Sequence, residues 1–555
     1  MRPRGILLVL LLFYSLPAAA QAKREPDPRR PDVARPADTL QTPTMPLPKI
    51  ELPEYVITGV ATVDVPSFQK EEVDDAMTRP LLLTQLSSNS EKEISEFLDP
   101  KRNSVSSLKE QTIGKIEASL GTYFTPSVYL GFGQEWQLFR YRVVGDYYRT
   151  MGFADATDRS QGRIGGDAAF TLRSSSEIIN GMRIRAGLSY GSDDYKFYGS
   201  LSPFTTRSIS ALEGSLRAEL PSGRPWTASI ALSQHETEIR DSSFKTSERA
   251  TSIFVQARIP LLWFPLTTGF HYQTSTVVGL TSRTAHLVDV FAGVPRQWWH
   301  DYFAEGSLHL YYSKNMSGGW LYALYPQIMA GYRLGEQHVA FVGVEPAVSF
   351  RSLLGDIRQA MYLSTEAVLR NRNVKTDYSG GVESDWSGWL RTKGTVRYNV
   401  VVNEPILEEA SKGIWFYQYT GEAEYWTLKA EAFANVTPND YFALALTART
   451  SEISTRGSEV PYIPSVELVA SYRRLLAFGV EVSPEFHVVG ERKANLAATQ
   501  SLPSYGVLGF RVTYSPLKSL VVFLKADNIT NTRYQVWRGY DAEPQKFFFG
   551  LGYTW

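Results

Sequence analysis

Lys546-Phe-Phe-Phe-Gly-Leu-Gly-Tyr-Thr-Trp555, the last ten residues of the chain, places apolar bulk at every second position. Phe547, Phe549, Leu551, Tyr553 and Trp555 share one parity, and Phe548, Gly550, Gly552 and Thr554 share the other. A period of two marks a β-strand, whose successive side chains leave opposite faces. This strand ends on an aromatic. A soluble sheet seldom finishes by offering an indole to water, so the last strand reads as one whose apolar face meets lipid. The alternative is the edge strand of a soluble sandwich.

The same period runs upstream. Ile164, Ala168, Phe170 and Leu172 alternate with Arg163, Asp167, Thr171 and Arg173. Met182, Ile184, Ala186, Leu188 and Tyr190 alternate with Arg183, Arg185 and Ser189, and Leu508, Phe510, Val512 and Tyr514 with Gly509, Arg511 and Thr513. From Ile113 onward about 22 such segments can be counted, with a range of 20 to 24. Each is near the length that a tilted strand needs to cross a bilayer. Apolar-out, polar-in alternation is the pattern of a transmembrane antiparallel up-and-down β-barrel, and an even strand number leaves both termini in the periplasm. The long connections, among them 241–247, 352–374 and 404–415, all follow odd-numbered segments, as extracellular loops should. Three segments placed at 416–435, 440–450 and 476–490 complete the count between 416 and 490 together with 465–474.

Composition agrees with this reading. There are 31 Tyr, 28 Phe and 12 Trp, residues that collect at membrane interfaces. The 57 basic and 57 acidic residues cancel, which removes any electrostatic case for nucleic acid as a partner. No Cys is present, so neither a lipid-modified N-terminal Cys nor a disulfide framework is expected.

The first residues carry export information. Met1–Arg4 is basic, Ile6–Leu16 is an apolar run too short to span a bilayer, and small residues follow at 18–22. Residues 1–22 are therefore assigned to a secretory signal peptide. Residues 23–50 form a Pro-rich linker, with seven prolines between Lys23 and Pro48. In polyproline II such a stretch reaches roughly 80 Å. Residues 51–112 are a polar N-terminal segment, periplasmic or lumenal, with a short helix expected at Ser87–Leu98. The barrel takes 113–555.

Three stretches resemble known proteins. The terminal aromatic strand, Phe547 to Trp555, is similar to the C-terminal signature that the barrel-insertion machinery reads in outer-membrane proteins. Leu524-Lys-Ala-Asp-Asn-Ile-Thr-Asn-Thr-Arg-Tyr534, followed by Trp537-Arg-Gly-Tyr540 and Pro544, resembles the penultimate strand and its exit in TonB-dependent receptors. Glu54, Tyr55, Val56, Ile57, Thr58 and Gly59 resemble the TonB box of that family, which adds a strand to the sheet edge of the energy-transducing partner. The likeness implies an outer-membrane barrel for passage or uptake of a solute, with outer-membrane lipid, the insertion machinery and TonB or another periplasmic protein as partners. One departure is clear. The folded plug of the family has no counterpart between residues 60 and 112, where no strand series can be read. A non-energised pore and a structural barrel whose periplasmic tail recruits a partner remain alternatives.

No metal or cofactor is expected. The seven His lack zinc-ligand spacing, no His-Glu-x-x-His occurs, and no Gly-x-Ser-x-Gly elbow is present. No catalytic residues are assigned and the chain reads as a non-enzyme. His309 shares a presumed lumen face with Glu305, Ser307 and Tyr311, where it is expected to be a solvated polar residue; a Ser–His pair assembled across strands is the other possibility. Arg140, Arg142, Arg163, Arg173, Arg183 and Arg185 fall on the inward parity of the third to fifth segments. They read as an anion-attracting wall, as a docking face for the N-terminal segment, or as part of a salt-bridged network with Asp146, Asp167, Glu213 and Glu219.

Overall fold

A computed structural model of the chain describes residues 111–555, apart from turn positions 137, 222–225, 243, 262–263, 387, 420 and 438. The expected signal peptide, linker, helix and TonB-box-like stretch lie outside the described residues. Within them the chain forms one closed antiparallel barrel of 22 strands.

The first half consists of β1 (Gln111–Gly121), β2 (Thr125–Glu135), β3 (Phe139–Thr150), β4 (Arg159–Thr171), β5 (Arg183–Lys196) and β6 (Thr206–Glu219). It continues with β7 (Thr227–Asp241), β8 (Phe244–Pro260), β9 (Pro265–Val278), β10 (Ser282–Trp299) and β11 (Tyr302–Lys314). The second half holds β12 (Trp320–Leu334), β13 (His338–Val344, resumed at Ala347–Ser349), β14 (Arg372–Trp386), β15 (Leu390–Val402) and β16 (Glu422–Thr437). Then come β17 (Asp440–Ile453), β18 (Val466–Leu475), β19 (Val480–Val489), β20 (Tyr505–Leu517), β21 (Leu520–Asp527) and β22 (Lys546–Thr554).

Each strand pairs with its neighbours in sequence, and β22 pairs with both β21 and β1. The closing register sets Ile116 opposite Tyr553, Ala118 opposite Leu551 and Leu120 opposite Phe549. Closure is obligatory, because an open sheet edge in hydrocarbon would strand a row of backbone N–H and C=O groups. The outer face is the apolar one. Phe549 is 59% exposed and Leu551 50%, whereas Phe548, on the opposite parity, is 7% exposed. An apolar surface of this extent is stable only against lipid.

Three places differ from the reading of the sequence. The expected strand 416–435 begins at Glu422, and Ile414–Gln418 instead pairs with Ile406–Ser411 in a hairpin above the barrel. Trp415 and Tyr417 alternate as a membrane strand would, yet both are buried against other loops. Alternation reports one apolar face, not what covers it. The expected long connection 241–247 is a tight turn, since Asp241 pairs with Phe244. The start of β19 at Val480 follows a short 3-10 turn at Ala477–Gly479. Connections after even strands, at the periplasmic end, are short except for residues 172–182.

Candidate functional site: a cap built from extracellular loops

The connection after β13 does not stay outside. It folds back into the barrel and carries the helix α1 (Leu353–Gln359), whose N-terminus is capped by Ser352. Leu353, Leu354 and Ile357 are each 1% exposed. Their spacing puts them on one face of the helix, and that face packs on the inner wall of the barrel. The wall contributes Ile209 and Ala211 from β6, Ile239 from β7, and Ala285 and Leu287 from β10.

These wall positions reverse the pattern of the strands lower down. On β6 the lipid-facing Leu212 and Leu216 are outward, but nearer the extracellular end Ser208 and Ser210 take that parity while Ile209 and Ala211 point inward. On β10 Val290 is outward, but Thr284 and His286 follow it on the same face while Ala285 and Leu287 turn to the lumen. The strands extend above the bilayer there. Water lies outside and an apolar plug lies inside, so the two faces exchange character.

Buried polar groups fix the loop to the wall. Arg207 on β6 is 1% exposed. Its Nη1 donates to the carbonyls of Met361 at 3.0 Å and Leu363 at 2.7 Å, and its Nε donates to Asp241 at 2.6 Å. Tyr195 on β5 donates its hydroxyl to the Met361 carbonyl at 2.6 Å. Glu248 on β8 accepts the backbone N–H groups of Leu353 and Leu354, both at 2.8 Å, and the Ser275 hydroxyl at 2.6 Å. Asn371 donates to the His286 carbonyl at 3.1 Å and to the Ser313 hydroxyl at 2.8 Å. Arg358 at the end of α1 reaches Glu213 at 3.1 Å. Glu213 lies seven residues below the top of β6, so the cap descends roughly 20 Å along the wall.

Two other loops close over the first. Trp415 of the 406–418 hairpin exchanges backbone hydrogen bonds with Tyr362 at 3.1 Å and Ser364 at 2.7 Å, and its indole donates to the Tyr462 hydroxyl at 3.0 Å. Tyr540 stacks on Tyr362 with ring centroids 3.5 Å apart and donates its hydroxyl to the Gly413 carbonyl at 2.7 Å. Arg538 pairs with Glu409 at 2.9 Å. Burial pushes the Tyr419 and Tyr462 phenols up to about 12. Burial also raises the Asp356 carboxyl, against the pull of the Arg351 guanidinium paired with it. Sequence reasoning missed this cap, since the alternation at the tops of β6 and β10 is unbroken and only its inner and outer faces exchange.

The expected basic wall is only partly assembled. Arg140, Arg142, Arg163, Arg183 and Arg185 share the inner face of β3 to β5, while Arg173 lies beyond β4 in the 172–182 turn. Acids interleave with them. Arg142 pairs with Asp167 at 2.9 Å, Arg185 with Glu219 at 3.7 Å, and Arg163 stands directly across from Asp146. Phe547, Phe549, Leu551, Tyr553 and Trp555 all lie on the outward face of the closing strand. No group of three or more His, Asp or Glu positioned to hold a metal ion occurs among the described residues.

The strand number, 22, is also that of outer-membrane transporters whose lumen is plugged, and here the extracellular mouth is closed by the cap. Compared by fold, it is similar to the copper transporter OprC (TM-score 0.63, 11% identity, covering 80% of this chain and 81% of that one). It is likewise similar to the FrpB iron transporter from Neisseria meningitidis (0.65, 10%, 81% and 82%) and to the ferric-catecholate import receptor Fiu from E. coli (0.61, 12%, 80% and 82%). At such identities the likeness is one of fold. Compared by sequence, the chain matches no protein-family model and no curated protein.

Proposed function

We propose that the chain is an outer-membrane barrel for uptake or passage of a solute, in which the extracellular loops themselves form the closure that must move. The observation that carries this reading is the cap: a loop rooted in the lumen wall through Arg207 and Glu248 and sealed from above by Trp415 and Tyr540. A barrel with a purely structural task has no need of a mouth closed in this way. Glu54 to Gly59 supplies the contact for TonB or another periplasmic protein, as its resemblance implies. Residues 51–112 hold twelve Asp and Glu against six Lys and Arg. That excess suits docking near Arg140, Arg183 and Arg185 at the periplasmic mouth, where the segment would occlude part of the lumen. Copper and ferric chelates, named for the similar structures, are the first solutes to try.

The test is accumulation of copper and of a ferric catecholate in cells carrying the full chain or a chain lacking residues 51–59. Uptake lost with the barrel still assembled supports energised transport. Unchanged flux supports the non-energised pore, and no flux in either overturns solute passage of these classes.

A further inference from the structure

Directly beneath the cap, the inner wall brings together a serine, a histidine and an aspartate from β10 and β11. His309 Nδ1 faces both oxygens of Asp289, at 3.0 and 3.1 Å, with the Tyr311 hydroxyl further off at 3.4 Å. His309 Nε2 lies 3.0 Å from the Ser307 hydroxyl. An ionised carboxylate only accepts hydrogen bonds, so Asp289 holds the tautomer with the proton on Nδ1 and leaves Nε2 to accept from Ser307. This is the order of contacts of a nucleophilic triad, which is recognised by geometry and roles rather than by position in sequence.

The surroundings favour reaction at Ser307. The residue opposite it on β10 is Gly293, where an added Cβ would lie 2.4 Å from the serine Cβ. Immediately beyond, the β10–β11 register shifts between Val294 and Gln297. Such bulges re-aim side chains and recur beside active sites. The imidazole is held in place by Phe291 and Tyr311, which stack on it at 5.1 and 5.7 Å. Tyr311 also belongs to the apolar core of the cap, so the triad lies at the floor of the closed mouth.

We propose that Ser307 and His309 are catalytic residues of an acyl-transfer site, with Asp289 as the positioning residue, acting on a carboxylic ester carried by a small solute in the lumen. Ser307 Oγ bonds to the acyl carbon as its proton passes to His309 Nε2. The bond from that carbon to the alkoxy oxygen then breaks, and the leaving oxygen takes the proton from Nε2. Water, deprotonated by the same nitrogen, attacks the acyl-serine; the Oγ–acyl bond breaks, Oγ recovers the proton and the carboxylic acid departs. Outside the bulge the strand N–H groups are committed to the ladder, and a side chain is placed to steady the carbonyl oxygen. Gln327, directly across from Ser307 on β12, has that place: its amide nitrogen gives one hydrogen to the Pro346 carbonyl at 3.2 Å and has a second to donate. This activity is separable from solute passage and does not rest on it.

The test uses full-length protein in detergent, an alkyl fluorophosphonate that caps activated serines, and p-nitrophenyl acetate as ester. The expected result is one adduct per chain on the peptide containing Ser307, absent in Ser307→Ala and formed at least about 100-fold more slowly in His309→Gln. Ester turnover falls in parallel. Ser252→Ala leaves labelling intact, although Ser252 also meets a histidine, His271, at 2.9 Å. Heat-modifiable migration on gels confirms that each variant is a closed barrel. No adduct on the parent protein, or an adduct indifferent to His309→Gln in a folded barrel, overturns the proposal.

Discussion

Trp555 and Gly114 exchange backbone hydrogen bonds in both directions across the closing seam, each at 3.0 Å. The indole lies over the glycine so closely that a Cβ at residue 114 would come within 2.0 Å of the ring. Trp555 and the first strand of the barrel wall are thus fitted to one another.

A Gly114→Val substitution should therefore strain the seam. Overpacking of this kind costs about 1–3 kcal/mol. Adding Trp555→Ala to the same chain removes the clash, so the two changes should couple by more than about 1 kcal/mol in a double-mutant cycle. Thermal midpoints of the heat-modifiable band measure it, and additive effects would count against the fit.

Leu551 tests the lipid-facing assignment. It is 50% exposed in the middle of β22. Leu551→Arg should cost about 2–4 kcal/mol if that position meets the bilayer midplane. Folding into vesicles monitored against urea reads the loss, and an arginine variant as resistant as the parent would place this parity elsewhere.

The cap should loosen independently of the barrel. Glu248→Ala leaves the N–H groups of Leu353 and Leu354 without their acceptor, at about 1–3 kcal/mol. Proteolysis within residues 353–369 should become fast while the thermal midpoint of the barrel stays nearly fixed. Equal losses in both would mean that the cap and the wall unfold as one unit.

Alkaline pH should open the cap as well. The buried phenols of Tyr419 and Tyr462 are pushed up to about 12, above the ordinary value near 10. A folded-state value raised in this way contributes stability that is fully present below about pH 10 and lost as pH rises through about 12. Ultraviolet titration of tyrosinate should show these groups ionising together with a change in Trp415 fluorescence. Tyr419→Phe with Tyr462→Phe should move that change to higher pH.

The barrel was legible because its strands must repeat one rule, an apolar residue outward at every second place, some 22 times. Phe549 and Leu551 could be assigned before any neighbour was known. The cap was not legible for the converse reason. Leu353, Leu354 and Ile357 sit in a helix of seven residues, about two turns, too short for a period to emerge. Their partners, such as Ile209 and Leu287, lie on strands whose alternation is intact and merely inverted above the bilayer. Trp415 and Tyr417 misled for the same reason, since a strand covered by a loop and one covered by lipid share a pattern. His309 was singled out by its face, but only the register that brings Asp289 and Ser307 to its two nitrogens shows what the face can do.

Residues 350–371 close the mouth of the lumen. Conductance of single barrels in a planar bilayer tests this closure, comparing the parent with a chain in which residues 353–369 are replaced by a short Gly-Ser linker. The parent should be nearly silent, and the shortened chain should show large, steady openings. Equal conductance in the two, with both barrels assembled, would contradict it.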